Sequence, residues 1–226
     1  MATKFFKIIT LGLCATAITS KVSATLDTEE LRLLLSDSGR DVSDFVRDSV
    51  RKPIEVLAFA GIDKGMSVLD LYAAGGYYTF ILSKAVGDTG TVYAQNTERG
   101  LRFVEDRQNR TQGEALKEKI EEGNLKNVVQ LIGPIRSLSL AEESLDAVML
   151  AQTLHDSYNS NPDRALNLLQ RLKTLLKPGG FLVVTDHIGI SGSNNREIHR
   201  MEISQAIDVA EQAGFSVESS DLLRNL

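Results

Sequence analysis

Short apolar runs alternate with longer amphipathic stretches from Ser67 to the end of the chain, and this alternation constrains the fold more than any other feature. Runs of this length that are rich in Val, Leu and Ile are typical of strands covered on both faces. Strands that alternate with helices form a mostly parallel sheet with helices on both faces. We therefore predict a doubly wound α/β domain. The predicted strands are 67–72, 92–95, 128–132, 147–151, 181–185 and 215–218, and the predicted helices are 77–86, 101–122, 163–176 and 200–212.

The pattern before this domain is helical only. Asp27 or Thr28 can cap a first helix, which Gly39 ends. A second helical stretch follows, and Pro53 stands in the first turn of a third, where its missing N–H costs nothing. The sequence therefore predicts an N-terminal helical cap over 25–64, followed by the α/β domain over 65–226.

The first residues have the layout of a secretory signal peptide. Lys4 and Lys7 form a basic start, an apolar stretch follows, and Val22-Ser23-Ala24 offers small residues at the cleavage positions. The rival interpretation is a short buried or anchoring helix. We predict a signal peptide over 1–24, cleavage after Ala24, and a mature protein that is periplasmic or secreted. Cys14, the only cysteine, would leave with this leader, which suits an oxidising compartment.

The charge of the chain limits its partners. The formal net charge is −5, so a nucleic-acid partner held by a general basic field is not expected. After the leader, no run reaches the roughly 20 apolar residues of a membrane-spanning helix. The expected partner is therefore a small molecule, and the predicted mature chain has no integral membrane segment.

A tight loop of small residues joins the first predicted strand to the helix after it, in the order Asp70-Leu71-Tyr72-Ala73-Ala74-Gly75-Gly76. Small residues let a ligand approach the backbone, and ligands of open α/β sheets bind at the carboxyl ends of the strands. The alternative is a turn that needs glycine only for close packing. A dinucleotide site would have an acid at the end of the second strand. Here the acid, Asp70, lies in the first strand and the second ends in Gln95-Asn96, which argues against a dinucleotide.

This loop resembles the first motif of class I S-adenosylmethionine-dependent methyltransferases, an acid followed by alternating small residues. The resemblance continues in the family's order, through Gly65 before the first strand, the stretch 133–148, and Lys177-Pro178-Gly179-Gly180. It implies a Rossmann-like, doubly wound fold and S-adenosylmethionine as the cofactor. The cofactor-binding positions that it implies are Asp70, Tyr72, Ala74, Gly75, Gly76, Asn96 and Gly133.

Further short segments resemble a group of predicted bacterial methyltransferases that often begin with signal peptides. The likeness covers nearly the whole predicted mature chain. The segments that carry it are Arg51-Lys52-Pro53, Tyr77-Tyr78-Thr79, His155-Asp156, Asp186-His187 and His199-Arg200.

The chain departs from the family pattern around the cofactor. Most members have glycine where Tyr72 and Ala74 stand. Alanine suits its position only if its φ is negative, and the Tyr72 ring must turn away or line the pocket. Asn96, or Gln95 if the register slips, replaces the acid that usually binds both ribose hydroxyls. Pro134 stands where an acid often lies near the adenine. Each lost contact would cost about 1–3 kcal/mol of binding.

The C-terminal end departs from the pattern as well. Members usually have a final antiparallel strand after the sixth, and the sequence predicts none here. Either the sequence is truncated before that strand, or one edge of the sheet is left uncovered.

The three histidines are the candidate chemical groups. His155 follows the fourth predicted strand and His187 the fifth, so both are expected on the cofactor face; Asp156 and Asp186 are their neighbours. They can shape loops through hydrogen bonds, or one can act as a general base toward an acceptor hydroxyl or amine, with His155, Asp156 and His187 as catalytic candidates. A metal site of His155, His187 and an acid fits no known spacing, so no metal is predicted.

Two functions of different classes remain open. The first is methyl transfer to an unidentified small acceptor, for which the protein mainly needs to position the reactants. The second is an exported, non-catalytic ligand-binding protein on the same fold. Export favours the ligand-binding protein, because S-adenosylmethionine is made in the cytosol. The retained Asp70, Gly75 and Gly76 favour methyl transfer.

Overall fold

The computed structural model describes residues 5–9, 26–36, 40–105 and 109–223. Helices and strands alternate through these residues. The helices are α1 Thr28–Leu35, α2 Val42–Arg51, α3 Pro53–Ala60, α4 Tyr77–Val86, α5 Gln112–Glu122, α6 Leu154–Ser160, α7 Pro162–Leu175 and α8 Ile203–Gln212. The strands are β1 Phe5–Ile9, β2 Ser67–Leu71, β3 Thr91–Asn96, β4 Val128–Ile132, β5 Leu145–Ala151, β6 Leu176–Thr185 and β7 Ser216–Ser220.

The chain forms two compact units. The described residues between 15 and 139 form one, which we call the glycine-loop unit. Residues 5–9 and the described residues from 140 onward form the other, which we call the histidine unit.

Parallel strands form the centre of the glycine-loop unit. Strand β3 pairs with β2 on one side and with β4 on the other, with Asp70 opposite Ala94 and Asn96 opposite Ile132. Helix α4 follows β2 and is buried along nearly its whole length, because its sequence is apolar on every side. The register therefore brings the loop after β2 next to the carboxyl end of β3.

The helical cap of this unit agrees with its sequence signals. Asp27 caps α1 by accepting the N–H of Glu30, and Pro53 begins α3 as predicted. Lys52 lies between α2 and α3 in the left-handed region, with a φ of 40°. The predicted helix end at Gly39 lies outside the described residues.

The single helix predicted over 101–122 is wrong in its first half. A short 3-10 helix, Gly100–Arg102, comes first, and Val104 and Thr111 then form an antiparallel bridge. Helix α5 begins only at Gln112, because Thr111 and Glu114 form a capping box that satisfies the backbone N–H groups of both residues.

Parallel strands also form the histidine unit. Strand β6 pairs with β5 and with β1, and β1 pairs with β7. All of these pairs are parallel, and the described residues of this unit contain no antiparallel strand pair. The sequence did not predict β1 or α6.

Strand β1 lies within the segment predicted to be a signal peptide. Lys7 lies in β1, and its ammonium is 3.9 Å from the carboxylate of Glu218. Cleavage after Ala24 would remove β1 from between β6 and β7. Lys4, Cys14 and the segment Val22-Ser23-Ala24 lie outside the described residues.

The α/β class predicted from the sequence is confirmed, because parallel strands and helices alternate through both units. Among the described residues, no helix combines the length and the apolar character that crossing a membrane requires.

Candidate functional site

The loop after β2 has a strained backbone. Tyr72, Ala74 and Gly76 all have positive φ values, of 56°, 51° and 84°. Ala74 therefore lacks the negative φ at which alanine would replace glycine without strain. Residues with a side chain pay about 1–2 kcal/mol for the left-handed conformation. The loop keeps the backbone path that glycine would allow, although only Gly76 adopts it without strain.

The two amide side chains at the end of β3 hold this loop in place. Gln95 Oε1 accepts the N–H of Tyr72 at 3.0 Å, and its Nε2 donates to the carbonyl of Gly133 at 2.7 Å. Asn96 Oδ1 accepts the N–H of Ala74 at 2.9 Å, and its Nδ2 donates to the Ala74 carbonyl at 3.2 Å. Both side chains are buried. We call this pair the amide clamp; it satisfies backbone groups that the strained loop could not pair by itself.

The amide clamp gives Asn96 a structural role that the sequence did not indicate. Both of its polar side-chain atoms bond to Ala74, and Gly133 in turn donates its N–H to the Asn96 carbonyl at 2.9 Å. A ribose hydroxyl would have to share or replace these bonds. The predicted ribose contact of Asn96 stays a prediction.

Asp70 supports the helix after the loop. Its carboxylate accepts the hydroxyl of Thr79 at 2.6 Å and also the Thr79 N–H. The Thr79 N–H lies in the first turn of α4, so this carboxylate bonds to the start of the helix. Burial raises the pKa of Asp70 to about 7, and the hydrogen bonds from Thr79 oppose that rise only in part.

Two glycines allow close approach at the loop. A Cβ on Gly76 would lie 2.7 Å from Leu116 Cδ1, and a Cβ on Gly75 would lie 2.6 Å from Glu105 Cδ. Glu105 is held in place by Arg47, whose guanidinium donates to it at 2.9 Å. The sequence did not indicate Glu105, because it lies in the segment wrongly predicted as helical. Its carboxylate against the loop is of the right kind to bind an ammonium group.

The helical cap reaches the same helix start. The Tyr77 hydroxyl donates to Asp48 at 2.7 Å, and Asp48 also accepts two hydrogen bonds from Arg40. The guanidinium of Arg51 lies 4.6 Å from the centre of the Tyr77 ring. Arg51 also opposes the rise in the pKa of Asp70. The cap therefore stabilises the start of α4, where the loop ends.

The histidine unit brings its candidate residues together. His155 is buried, and its Nδ1 lies 2.6 Å from Asp186 Oδ1, while its backbone N–H donates to Asp186 Oδ2 at 2.9 Å. An ionised carboxylate only accepts, so Nδ1 carries a proton, and in the neutral imidazole the lone pair is on Nε2. That Nε2 faces Asp156 Oδ1 at 3.3 Å. His155 therefore pairs with Asp186, the sequence neighbour of His187, although the two are 31 residues apart.

The other two histidines flank this pair. His199 Nδ1 lies 3.1 Å from Asp156 Oδ1, and its ring centre lies 5.7 Å from that of His155. The ring centre of His187 lies 6.4 Å from that of His155. Burial alone would lower the pKa of His155, but the hydrogen bond and charge of Asp186 outweigh it and raise that pKa. The sequence did not indicate that His199 joins this cluster.

The class of the protein follows from the strand–loop–helix geometry and from a match to a known family. The family described as a methyltransferase domain matches this chain over residues 62–213. The chain belongs to this family of S-adenosylmethionine-dependent methyltransferases, and the expected resemblance to that class is confirmed.

Two curated bacterial methyltransferases are similar in sequence to about half of this chain. A demethylmenaquinone methyltransferase of Lactococcus lactis is 34% identical over 119 residues, which are 53% of this chain and 41% of that protein. A protein of the same name from Staphylococcus aureus is 34% identical over 128 residues, 57% of this chain and 46% of its own length. The chain thus spans less than half the length of these relatives.

Solved structures agree with the fold. A SAM-dependent methyltransferase from Aquifex aeolicus has a TM-score of 0.59 and 26% identity, over 84% of this chain and 89% of its own. The [4+2]-cyclase SpnF has a TM-score of 0.57 and 20% identity, over 79% of this chain and 61% of its own. The second likeness concerns the fold alone, and the Rossmann-like class is confirmed. A cyclase on this fold means that the reaction must be argued from the site.

Proposed function

We propose that this chain transfers the methyl group of S-adenosylmethionine to a small acceptor. The observation that supports this most is the loop after β2, which keeps the left-handed path of a glycine-rich turn beside the buried Asp70. When bound, the cofactor supplies a methyl group on a reactive sulfonium. The residues that would hold it are those around the loop: Asp70, Tyr72, Ala74, Gly75, Gly76, Asn96, Gly133 and Glu105.

The histidine unit contains the candidate general base of this proposal. His155 Nε2 would take the proton of an acceptor hydroxyl or amine, because Asp186 holds the imidazole with its lone pair on that atom. Asp156 lies beside the same nitrogen, and His187 flanks the ring. The acceptor itself is not defined by these contacts. The names of the curated relatives make a demethylmenaquinone analogue a reasonable first compound to assay.

Cofactor binding is expected to be lost in Gly76→Val. The new side chain would start 2.7 Å from Leu116 Cδ1 at a position with a φ of 84°, so it would both fill the loop and strain it. Calorimetric titration with S-adenosylmethionine and with S-adenosylhomocysteine measures the effect. Gly87→Val is the control, because Gly87 also has a positive φ but has nothing within 4 Å of its Cβ position. Equal loss in both variants would mean that strain, not the loop, is responsible.

The same titration, with the wild type, distinguishes a methyltransferase from a non-catalytic ligand-binding protein. Wild-type binding of S-adenosylmethionine supports the methyltransferase. Absence of binding at millimolar ligand would favour a non-catalytic protein that holds another molecule on the same fold.

Asn96→Asp is expected to tighten cofactor binding and to weaken the fold. A carboxylate loses the donor bond to the Ala74 carbonyl and is repelled by it, so it is freed for two charge-assisted bonds to ribose hydroxyls. We expect affinity to rise by roughly five- to thirtyfold, while the free energy of unfolding falls by about 1 kcal/mol. Calorimetry and urea unfolding measure the two effects. Gln95→Glu should show no gain in affinity; a gain there alone would mean that the ribose faces Gln95.

We propose that the chain is exported and processed after Ala24. The arrangement of Lys4, Lys7 and the apolar stretch before Val22 supports this, whereas the pairing of β1 with β6 and β7 favours a retained N-terminus. N-terminal sequencing of the protein recovered from its native host separates the two. A chain that begins at Thr25 is expected, and one that keeps the residues of β1 would contradict export.

A further inference from the structure

Three groups of the histidine unit converge on one point. His155 Nε2 lies 3.3 Å from Asp156 Oδ1, and His199 Nδ1 lies 3.1 Å from the same oxygen. One potential ligand atom from each of the three residues lies within 4.8 Å of the other two. Ligand atoms at about 2.0–2.1 Å around a tetrahedral metal ion are about 3.3–3.4 Å apart. The two separations that involve Asp156 are therefore close to those of an assembled metal site.

The surroundings of His155 are those of a metal ligand. Its Nδ1–H bonds to Asp186, which fixes the ring and leaves Nε2 facing Asp156. Metal-binding histidines nearly always have such a carboxylate or carbonyl partner on their other nitrogen. Asp186 is itself fixed by the N–H groups of His155 and His187. The orientation of the imidazole is thus set before any ion arrives.

The two remaining groups give an ion access from solvent. The side chains of Asp156 and His199 are 59% and 71% exposed, whereas that of His155 is 4% exposed. Two imidazole nitrogens and one carboxylate oxygen are a donor set for zinc and its neighbours in the first transition row, not for magnesium or calcium. Three protein ligands also leave a position for water or another molecule.

We propose that His155, Asp156 and His199 bind a divalent transition-metal ion of the zinc class. The ligand atoms are His155 Nε2, an Asp156 carboxylate oxygen and His199 Nδ1, and Asp186 orients the buried histidine. Sequence spacing could not indicate this site, because His199 is 43 residues from Asp156. The binding itself does not depend on the proposed methyl transfer. If that function holds, the ion and the acceptor proton compete for the same lone pair, so saturating Zn²⁺ should slow the transfer.

The proposal is tested on tag-free, chelator-treated protein without cofactor or acceptor. Titration with Co²⁺ should produce visible absorption of a four- or five-coordinate ion at one ion per chain, and Zn²⁺ should displace it. His199→Gln and Asp156→Asn should each weaken binding at least tenfold, and Asp186→Asn should weaken it by about 10- to 100-fold. Both ligand variants change exposed side chains, so circular dichroism should show an unchanged fold.

His187→Gln is the matched histidine control, since His187 is outside the three-residue group. It should retain wild-type Co²⁺ affinity. The proposal is overturned if wild type binds no Co²⁺ at millimolar concentration, or if His199→Gln and Asp156→Asn bind as tightly as wild type. Because no cofactor is present, this result is independent of whether the chain binds S-adenosylmethionine.

Discussion

Asp70→Asn is expected to be more stable than wild type at neutral pH by about 4 kcal/mol, and equal to it near pH 4. The pKa of Asp70 is raised from 3.8 to about 7 by burial. Between these values the folded protein keeps the proton and the unfolded chain does not. The wild type therefore loses about 1.4 kcal/mol of stability for each pH unit across that window. Asparagine has no proton to lose and can still accept the hydroxyl of Thr79.

A second carboxylate of the same unit, Asp41, should show the opposite dependence of stability on pH. Arg110 and Ser43 donate to Asp41, and although its partial burial opposes them, they lower its pKa to about 2. Asp41 therefore stabilises the fold above pH 4, and this contribution is lost as the pH falls toward 2. Asp41→Asn should converge with wild type at low pH and fall below it at neutral pH. Asp70→Asn should behave in the opposite way.

Urea unfolding at a series of pH values measures both variants. The difference between Asp70→Asn and wild type should grow from pH 4 to pH 7 and then stay constant. If the two proteins keep a constant difference over this range, Asp70 ionises normally in the folded protein. The buried carboxyl would then not be a source of strain at the start of α4.

The parts of the fold that were predictable from the sequence are those with a strong local cause. Helix α4 has the bounds expected for it, because an apolar stretch lies between glycines at both ends. Strands β2, β3 and β4 also lie where their apolar runs are. Residues 101–105 and 109–111 were mispredicted as helical, because their charged residues suit a helix surface. The 3-10 helix Gly100–Arg102 and the bridge between Val104 and Thr111 show that these residues do not belong to an α-helix.

Of the candidate site, only the residues of the loop after β2 could be predicted from the sequence. Asp70, Gly75 and Gly76 stand out as a motif, but the amide clamp does not. Gln95 and Asn96 bond to main-chain groups, and no side-chain pattern in a sequence reveals a main-chain partner. The same limit applies to the histidine cluster. Its three histidines come from separate segments that only the folding of the unit brings together.

His155→Gln is expected to reduce methyl transfer by about 10²- to 10⁴-fold in chelator-treated protein, which is the range for losing a general base. Glutamine is similar in size but cannot take the acceptor proton. The affinity for S-adenosylhomocysteine should not change, because the loop residues that would hold it belong to the glycine-loop unit. The measurement is turnover with an acceptor on which wild type is active, together with calorimetric binding of the cofactor product.

Asp186→Asn distinguishes proton transfer by His155 from the orientation of its ring by Asp186. It keeps an acceptor oxygen for the Nδ1–H of His155 but removes the negative charge, so turnover should fall by less than in His155→Gln. If His155→Gln retains wild-type turnover while His187→Gln loses it, the base is His187. If both variants retain turnover, the acceptor gives up its proton without these histidines. Positioning of acceptor and methyl group would then be the whole catalytic contribution of the protein, as direct transfer from a reactive sulfonium allows.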